Sequence, residues 1–153
     1  MDVAERLIEL GIILPEPPPR AGIYKPAVRV GNLVYISGQG STEHGLPVVT
    51  GKVGKDRTIE EGQLACRICT LNALSVLNRE FGNLEGVNRV IKTLAFIASA
   101  EGFNQQPKVA NGASQLLQDI FGENGVGARS AIGMYELPDN ITAEVEFIFE
   151  MKE

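Results

Sequence analysis

Several features that define common protein classes are scarce in this chain. It has one histidine, two cysteines and no tryptophan among 153 residues. Two cysteines are too few for a disulfide scaffold, and one histidine excludes a histidine pair for ribonuclease-type acid–base catalysis within a chain. No apolar run approaches the roughly 20 residues that a membrane span requires, and the N-terminal segment MDVAERLIEL lacks the apolar core of a secretory signal. We therefore expect a cytoplasmic protein.

Basic residues are also few. The chain has 14 Lys and Arg against 19 Asp and Glu, which gives a net charge of −5. Without a run of basic residues, nucleic acid is disfavoured as a partner. The sequence also lacks a His/Cys cluster with zinc spacing, and its glycine-rich stretch GQGSTEHG has no P-loop lysine. We expect neither a metal nor a cofactor.

The residues that are present predict a single globular domain. Hydrophobic residues make up 44% of the chain and charged residues 22%, close to the globular average. A short amphipathic helix at Val3–Leu10 precedes LPEPPPRAG, whose prolines exclude helix and central strand. We interpret residues 1–20 as an N-terminal helix and proline-rich tether, and residues 21–153 as the domain.

Hydrophobic periodicity and turn signals predict an α+β fold, with one mixed sheet and two main helices on one face. The longer helix begins after Thr58, with Glu61 as its capping-box partner, and ends at Gly82. The predicted helices are Ile59–Phe81 and Val109–Phe121. The predicted strands are Ala27–Gly31, Leu33–Ser37, Val87–Ala98, Ala128–Leu137 and Thr142–Met151, with a further candidate at Pro47–Thr50.

The last strand alternates strictly between two faces. Its apolar face is expected to pack under the helices, and its acidic face needs water or a partner. A two-layer domain leaves the second sheet face half bare, so we expect sister subunits to cover it. The apolar residues are Ala143, Val145, Phe147, Phe149 and Met151, and the acidic ones are Glu144, Glu146 and Glu150.

The histidine and the cysteines are interpreted as structural or solvent-exposed residues. His44 lies in the loop STEHGLP, and no nucleophile-elbow motif supports a triad through it. Cys66 and Cys69 form a C-x-x-C pair, but redox pairs place the first thiol at a helix N-terminus. Here both lie about two turns into the predicted helix, on its apolar face. We expect small core residues.

Arg129 is the candidate binding residue. It follows Gly-Val-Gly-Ala and begins an otherwise uncharged strand, so a planar ligand with two oxygens has room in front of its guanidinium. A salt bridge to Glu144 or Glu146 on the adjoining strand explains it equally well. If Arg129 and Glu144 are on adjacent strands, proximity lowers the pKa of the glutamate while burial raises it. The sequence leaves both questions open.

Four segments resemble the YjgF/Rid family, also called reactive intermediate deaminase or endoribonuclease L-PSP. They are GNLVYISGQ (31–39), VIKTLAFI (90–97), ARSAIGMYELP (128–138) and AEVE (143–146), within a likeness that covers residues 21–151. The resemblance implies a chorismate-mutase-like fold and a homotrimer with clefts between subunits. It also implies hydrolysis of small enamines and imines, produced by pyridoxal-phosphate enzymes, to 2-keto acids and ammonia.

The resemblance also assigns residues. Arg129 matches the arginine that holds the substrate carboxylate, and Glu144 matches the acidic residue that positions or activates water. Tyr24 matches a tyrosine that lines the cleft, and Ser37 and Gly38 match its wall.

The chain departs from the family pattern in ways that suggest a divergent subgroup. Ala131 stands where many deaminases have cysteine, so only its backbone can act there. The family's helix asparagine matches Asn111, with Ser114 an equal candidate. An enamine/imine deaminase is the leading interpretation. The alternatives are a non-catalytic trimer that binds small carboxylates, and an endoribonuclease, which the acidic charge and single histidine disfavour.

Overall fold

The computed structural model describes all 153 residues. Its helices are α1 (Val3–Glu9), α2 (Ile59–Phe81) and α3 (Gln106–Phe121). Its strands are β1 (Ala27–Val30), β2 (Leu33–Gly40), β3 (Thr42–Glu43), β4 (Leu46–Pro47), β5 (Val87–Ala98), β6 (Ala128–Met134) and β7 (Ala143–Met151). Short 3-10 turns occupy Leu84–Gly86, Gly122–Gly125 and Pro138–Asn140.

Five strands form one mixed sheet in the order β1-β2-β7-β5-β6. All neighbours are antiparallel except β5 and β6, which run parallel and are joined by the α3 crossover. β3 and β4 form a separate hairpin. The predicted α+β architecture, with a mixed sheet and its two main helices on one face, is confirmed.

The bounds of α2 follow from its capping residues. The Thr58 hydroxyl accepts from Glu61 N at 3.1 Å, and the Glu61 carboxylate accepts from Thr58 N at 3.1 Å. Gly82 ends the helix with a φ of 94°, which favours glycine. Both ends agree with the sequence prediction because the signals are local.

The core lies between the sheet and the two long helices. The apolar alternation of β7 is buried as predicted, with Phe147 and Phe149 among its largest side chains. Cys66 and Cys69 are fully buried free thiols. Burial raises the pKa of Cys66 to about 12 and that of Cys69 well above its usual value. Their interpretation as core residues is confirmed.

The two long helices approach each other through glycine. A Cβ at Gly112 of α3 would lie 2.0 Å from the backbone oxygen of Gln63 in α2, so no other residue fits. The Gln63 side chain donates to Lys108 O at 2.9 Å. This contact fixes the register of α3 against α2.

Several predicted bounds are corrected. β2 continues through Gly40, with a bulge between Ile36 and Gln39, where the sequence suggested an end at Ser37. The candidate strand at Pro47–Thr50 is wrong, because the hairpin pairs Thr42–Glu43 with Leu46–Pro47 instead. The predicted helix at Val109 begins three residues earlier, at Gln106, and the strand predicted to reach Leu137 ends at Met134.

His44 occupies the turn of that short hairpin. His44 and Gly45 both have positive φ, 52° and 78°, as a type I′ turn requires. The histidine is exposed, in agreement with its interpretation as a solvated loop residue.

The N-terminal helix docks on the body of the molecule. Arg6 Nε donates to Asp119 O at 2.7 Å, and the carboxylate of Glu85 accepts from Ala4 N at 2.9 Å. Residues 12–20 form neither helix nor strand. The division at residue 20 stays a prediction. None of the helices has the length and apolarity needed to cross a membrane.

Candidate active site

The Arg129 side chain reaches from the start of β6 to α3. Its Nη1 donates to Asn111 Oδ1 at 2.7 Å and to Ser114 Oγ at 3.1 Å, and its Nη2 donates to Pro107 O at 3.3 Å. Both residues that the sequence offered for the family's asparagine position therefore contact the guanidinium.

All three acceptors of Arg129 are neutral. No ion pair in the chain involves this residue, which decides against the alternative of a salt bridge to Glu144 or Glu146. A guanidinium has five N–H donors, and the Nε–H and one Nη2–H of Arg129 make no bond within the chain. The half-buried charge is therefore uncompensated and can bind both oxygens of a carboxylate.

A small cavity lies beside this guanidinium. It has a volume of about 180 Å³ and is lined by Thr93, Ser114 and Arg129 together with Gly125, Val126 and Gly127. Thr93 did not stand out in the sequence, although it is the polar member of the buried alternation Thr93, Ala95, Ile97 in β5. We refer to these residues as the arginine site.

Glu144 lies on β7 against Gly38. A Cβ at Gly38 would be 2.8 Å from Glu144 Oε2, so glycine leaves the room that this carboxylate occupies. Glu144 is half-buried and forms no ion pair. Burial raises the pKa of its carboxyl, with a further contribution from the negative charge of Glu146. The sequence left this direction open, and burial determines it because Arg129 is not among the groups that act on Glu144.

Arg129 and Glu144 lie on opposite faces of the sheet. Arg129 pairs with Thr93, and Thr93 pairs with buried Phe147, so all three side chains are on the sheet face that packs against the helices. Glu144 is out of phase with the buried residues of β7 and is therefore on the other face. β5 also separates β6 from β7. The expectation that the two residues occupy adjacent strands is therefore wrong. Within one chain they form two separate half-sites.

The glutamate half-site contains three of the residues that the resemblance assigned. Tyr24, Gly38 and Glu144 line one cavity of about 150 Å³, which we call the glutamate site. The tether borders it through Pro18, Pro19 and Arg20. Tyr24 Oη accepts from Ala21 N at 3.3 Å, which holds the ring at the mouth.

Ser37 and Ala131 lie elsewhere. The Ser37 hydroxyl donates to Lys25 O at 2.6 Å, and Ser37 lines a neighbouring cavity of about 290 Å³ with Lys92 and Glu146. The Ala131 side chain packs against the main core. Ala131 is not among the residues that line the arginine site.

A sequence match over almost the whole chain identifies its family. Residues 4–150 match the family described as "YjgF/chorismate mutase-like, putative endoribonuclease". The chain belongs to the YjgF family. The predicted chorismate-mutase-like fold is thereby confirmed, and the segments that carried the resemblance all lie within the matched range.

Individual relatives of this YjgF protein cover nearly its whole length. The crystal structure of Atu1372 from Agrobacterium tumefaciens, a protein of unknown function, has 40% identity and a TM-score of 0.90, and the match covers 98% of this chain and 92% of that one. Protein TCP17 of Trypanosoma cruzi is 38% identical over 97% of this chain and 94% of its own length. The 2-iminobutanoate/2-iminopropanoate deaminase of Dermatophagoides farinae is 32% identical over 90% of this chain and 92% of its own.

Proposed function

We propose that this YjgF protein hydrolyses small 2-imino and 2-enamino acids to 2-keto acids and ammonia, at clefts between the subunits of a homotrimer. The observation that carries the proposal is the uncompensated charge of Arg129, held by neutral oxygens and open on a small cavity. The 32% identity to an imine deaminase supports the reaction. The substrate class follows from the carboxylate that Arg129 would hold.

Arg129 binds and orients the substrate in this proposal. The Nε–H and free Nη2–H bind the two carboxylate oxygens, and Asn111 and Ser114 hold the guanidinium so that the pair is directional. The carboxylate also fixes the adjacent C2 atom of the substrate, which carries the imine nitrogen.

Glu144 moves the protons. The pKa of its carboxyl is raised toward neutral pH, and a general base is most effective when its pKa is near the working pH. The reacting form is the protonated imine. Glu144 takes a proton from water as the oxygen attacks C2, which forms a neutral tetrahedral carbinolamine, and it returns that proton to nitrogen. The C–N bond then breaks as the carbinolamine hydroxyl gives its proton to Glu144, which yields ammonia and the 2-keto acid, and this last proton leaves with ammonia as ammonium. For an enamine, protonation at C3 comes first and produces the protonated imine.

The proposed reaction needs a second subunit, because the arginine site and the glutamate site of one chain lie on opposite faces of its sheet. The sheet face opposite α2 and α3 carries exposed apolar side chains, with Val28, Tyr35 and Ile132 between 44% and 46% exposed. We call this surface the outer face. Covering it with sister subunits buries apolar area and lets the arginine site of one subunit approach the glutamate site of another.

The test uses imines generated in situ from alanine or 2-aminobutyrate by an amino-acid oxidase. Wild type should reduce the fraction of imine captured by semicarbazide and speed the release of keto acid beyond spontaneous hydrolysis. Arg129→Lys keeps the charge but loses the planar fork, so it should raise KM about ten-fold or more. Glu144→Gln should lower kcat and leave the affinity for 2-ketobutyrate unchanged, because it removes the proton acceptor.

The pair Arg79 and Glu80 offers matched controls. These residues form an exposed ion pair at 3.1 Å near the end of α2, away from both half-sites and the outer face. Arg79→Lys and Glu80→Gln should leave both constants unchanged. If wild type binds 2-ketobutyrate but does not accelerate hydrolysis, the protein is a non-catalytic carboxylate binder and the proposed reaction is wrong.

A further inference from the structure

Thr93 carries the one buried polar side chain that forms no hydrogen bond within the chain. It is 3% exposed. Every other buried polar side chain has a partner, for example Thr70 Oγ1 with Cys66 O at 2.8 Å and Thr142 Oγ1 with Gly51 O at 2.9 Å. The remaining ones are Gln39, Ser41, Asn72 and Ser75, which all bond to backbone oxygens. A buried hydroxyl without a partner costs stability.

The Thr93 hydroxyl is nevertheless not sealed in the core. No fully inaccessible side-chain nitrogen or oxygen in this protein lacks a hydrogen bond. Thr93 lines the cavity of the arginine site, together with Ser114 and Arg129. Its hydroxyl therefore opens into that cavity and is available to whatever binds there.

Strand pairing places Thr93 directly beside Arg129. The two are register partners in the parallel β5–β6 ladder and face the same side of the sheet. Neighbouring strands lie about 4.8 Å apart, so adjacent side chains can contact one small ligand. Ser114 Oγ accepts from Arg129 Nη1 at 3.1 Å, and the Thr93 hydroxyl, which forms no bond within the chain, is free to donate.

We propose that Thr93 is a further ligand of the substrate carboxylate. Its hydroxyl donates to one carboxylate oxygen, while Arg129 donates through the Nε–H and the free Nη2–H. The inference rests on the proposed function for the identity of the ligand and deepens it by naming a second carboxylate-binding residue. The cavity holds about 180 Å³, below the 300–1,000 Å³ of pockets for drug-sized ligands, which suits a carboxylate group and the atoms next to it.

The test is titration of 2-ketobutyrate into the full-length protein by calorimetry. Thr93→Val keeps the branched shape and removes an unpaired hydroxyl, so the melting temperature should not fall. Affinity should fall about ten-fold, as expected for loss of a hydrogen bond to a charged group. In turnover, KM should rise while kcat changes little, because the contact exists in ground and transition states alike.

Two further variants separate a ligand contact from a structural role. Thr93→Ser keeps the hydroxyl and should bind 2-ketobutyrate within about three-fold of wild type, on the order of 0.6 kcal/mol at most. Thr142→Val removes a buried hydroxyl that does have a long-range partner, Gly51 O at 2.9 Å, so it should lower the melting temperature and leave affinity unchanged.

The outcomes distinguish this inference from the proposed reaction. If Thr93→Val binds 2-ketobutyrate as wild type does while Arg129→Lys binds weakly, Thr93 is no ligand and the deaminase proposal stands. If Thr93→Val weakens binding but wild type shows no imine hydrolysis, the inference stands and the reaction is wrong. Absence of 2-ketobutyrate binding by wild type overturns the inference.

Discussion

Gly38 leaves the space that the Glu144 carboxylate fills, and a methyl group at position 38 would lie 2.8 Å from Oε2. The two residues are on neighbouring strands β2 and β7, beside the bulge that separates Ile36 from Gln39. The position of the proposed proton acceptor therefore depends on a residue that has no side chain.

Gly38→Ala is expected to displace the Glu144 carboxylate without removing it. The kcat for hydrolysis should then fall by about ten-fold or more, because a small displacement of a proton acceptor slows proton transfer strongly. Affinity for 2-ketobutyrate should be unchanged, because Arg129 holds the carboxylate in this proposal and the substitution leaves the bonds that position Arg129 in place. Steady-state kinetics and calorimetry measure the two effects. Equal activity in Gly38→Ala and wild type would mean that the placement of Glu144 does not matter.

The raised pKa of Glu144 predicts an acidic limb in the pH profile. The base must be deprotonated, so kcat should fall as pH decreases through a value above the ordinary 4.5 of glutamate. If the base were an exposed glutamate with an ordinary pKa, kcat would begin to fall only at a lower pH. The kcat profile of wild type between pH 4 and 8, roughly the range over which a raised carboxyl titrates, provides the measurement.

The same shift predicts a pH-dependent stability difference. A carboxyl with a raised pKa binds more protons folded than unfolded, so its contribution to stability falls as pH rises from the ordinary value through the raised one. Glu144→Gln removes the carboxyl and with it this fall in stability with rising pH. The variant should therefore melt higher than wild type at neutral pH, and the difference should shrink below the ordinary pKa. A constant difference across that range would contradict a raised pKa.

The cysteine pair is expected to be dispensable for binding. Cys66 and Cys69 are fully buried, and burial raises both thiol pKa values. Replacing both with alanine should cost about 1–3 kcal/mol of unfolding free energy, as for other core truncations. Calorimetry with 2-ketobutyrate should give wild-type affinity. Weak binding by a double variant that is still folded and assembled would show that the thiols contribute to the site.

The proposed homotrimer predicts a mass near three times the 16.5 kDa subunit in light scattering. Tyr35→Asp places a charge on the outer face and should dissociate the assembly and abolish hydrolysis. Leu46→Asp changes a 69% exposed residue on the β3–β4 hairpin and should do neither. A wild-type monomer at micromolar concentration would contradict the assembly and the shared cleft.

The sequence predicted those parts of the fold that local signals determine. Thr58, Glu61 and Gly82 defined α2 to the residue, and alternation defined the buried face of β7. Strand order carries no local signal. β6 and β7 are joined by a short connection and were expected to adjoin, but the parallel crossover through α3 places β5 between them.

That error in strand order explains why Arg129 and Glu144 were expected on adjacent strands. They lie instead on opposite faces of the sheet, with β5 between their strands. Thr93 went unnoticed because its feature, a buried hydroxyl without a partner, depends on which side chains surround it in three dimensions.

The close approach of Gly112 to Gln63 also determines how much the arginine site can adapt. Gly112 lies between Asn111 and Ser114, the two residues that hold Arg129. Because the helix backbones meet there with no intervening side chain, neither acceptor can slide along α2 when an acid binds. The guanidinium is thus preorganised by helix packing, and little of the binding free energy is spent on ordering it. If Arg129 binds acids as proposed, its selectivity among them depends on how each carboxylate fits a rigid fork.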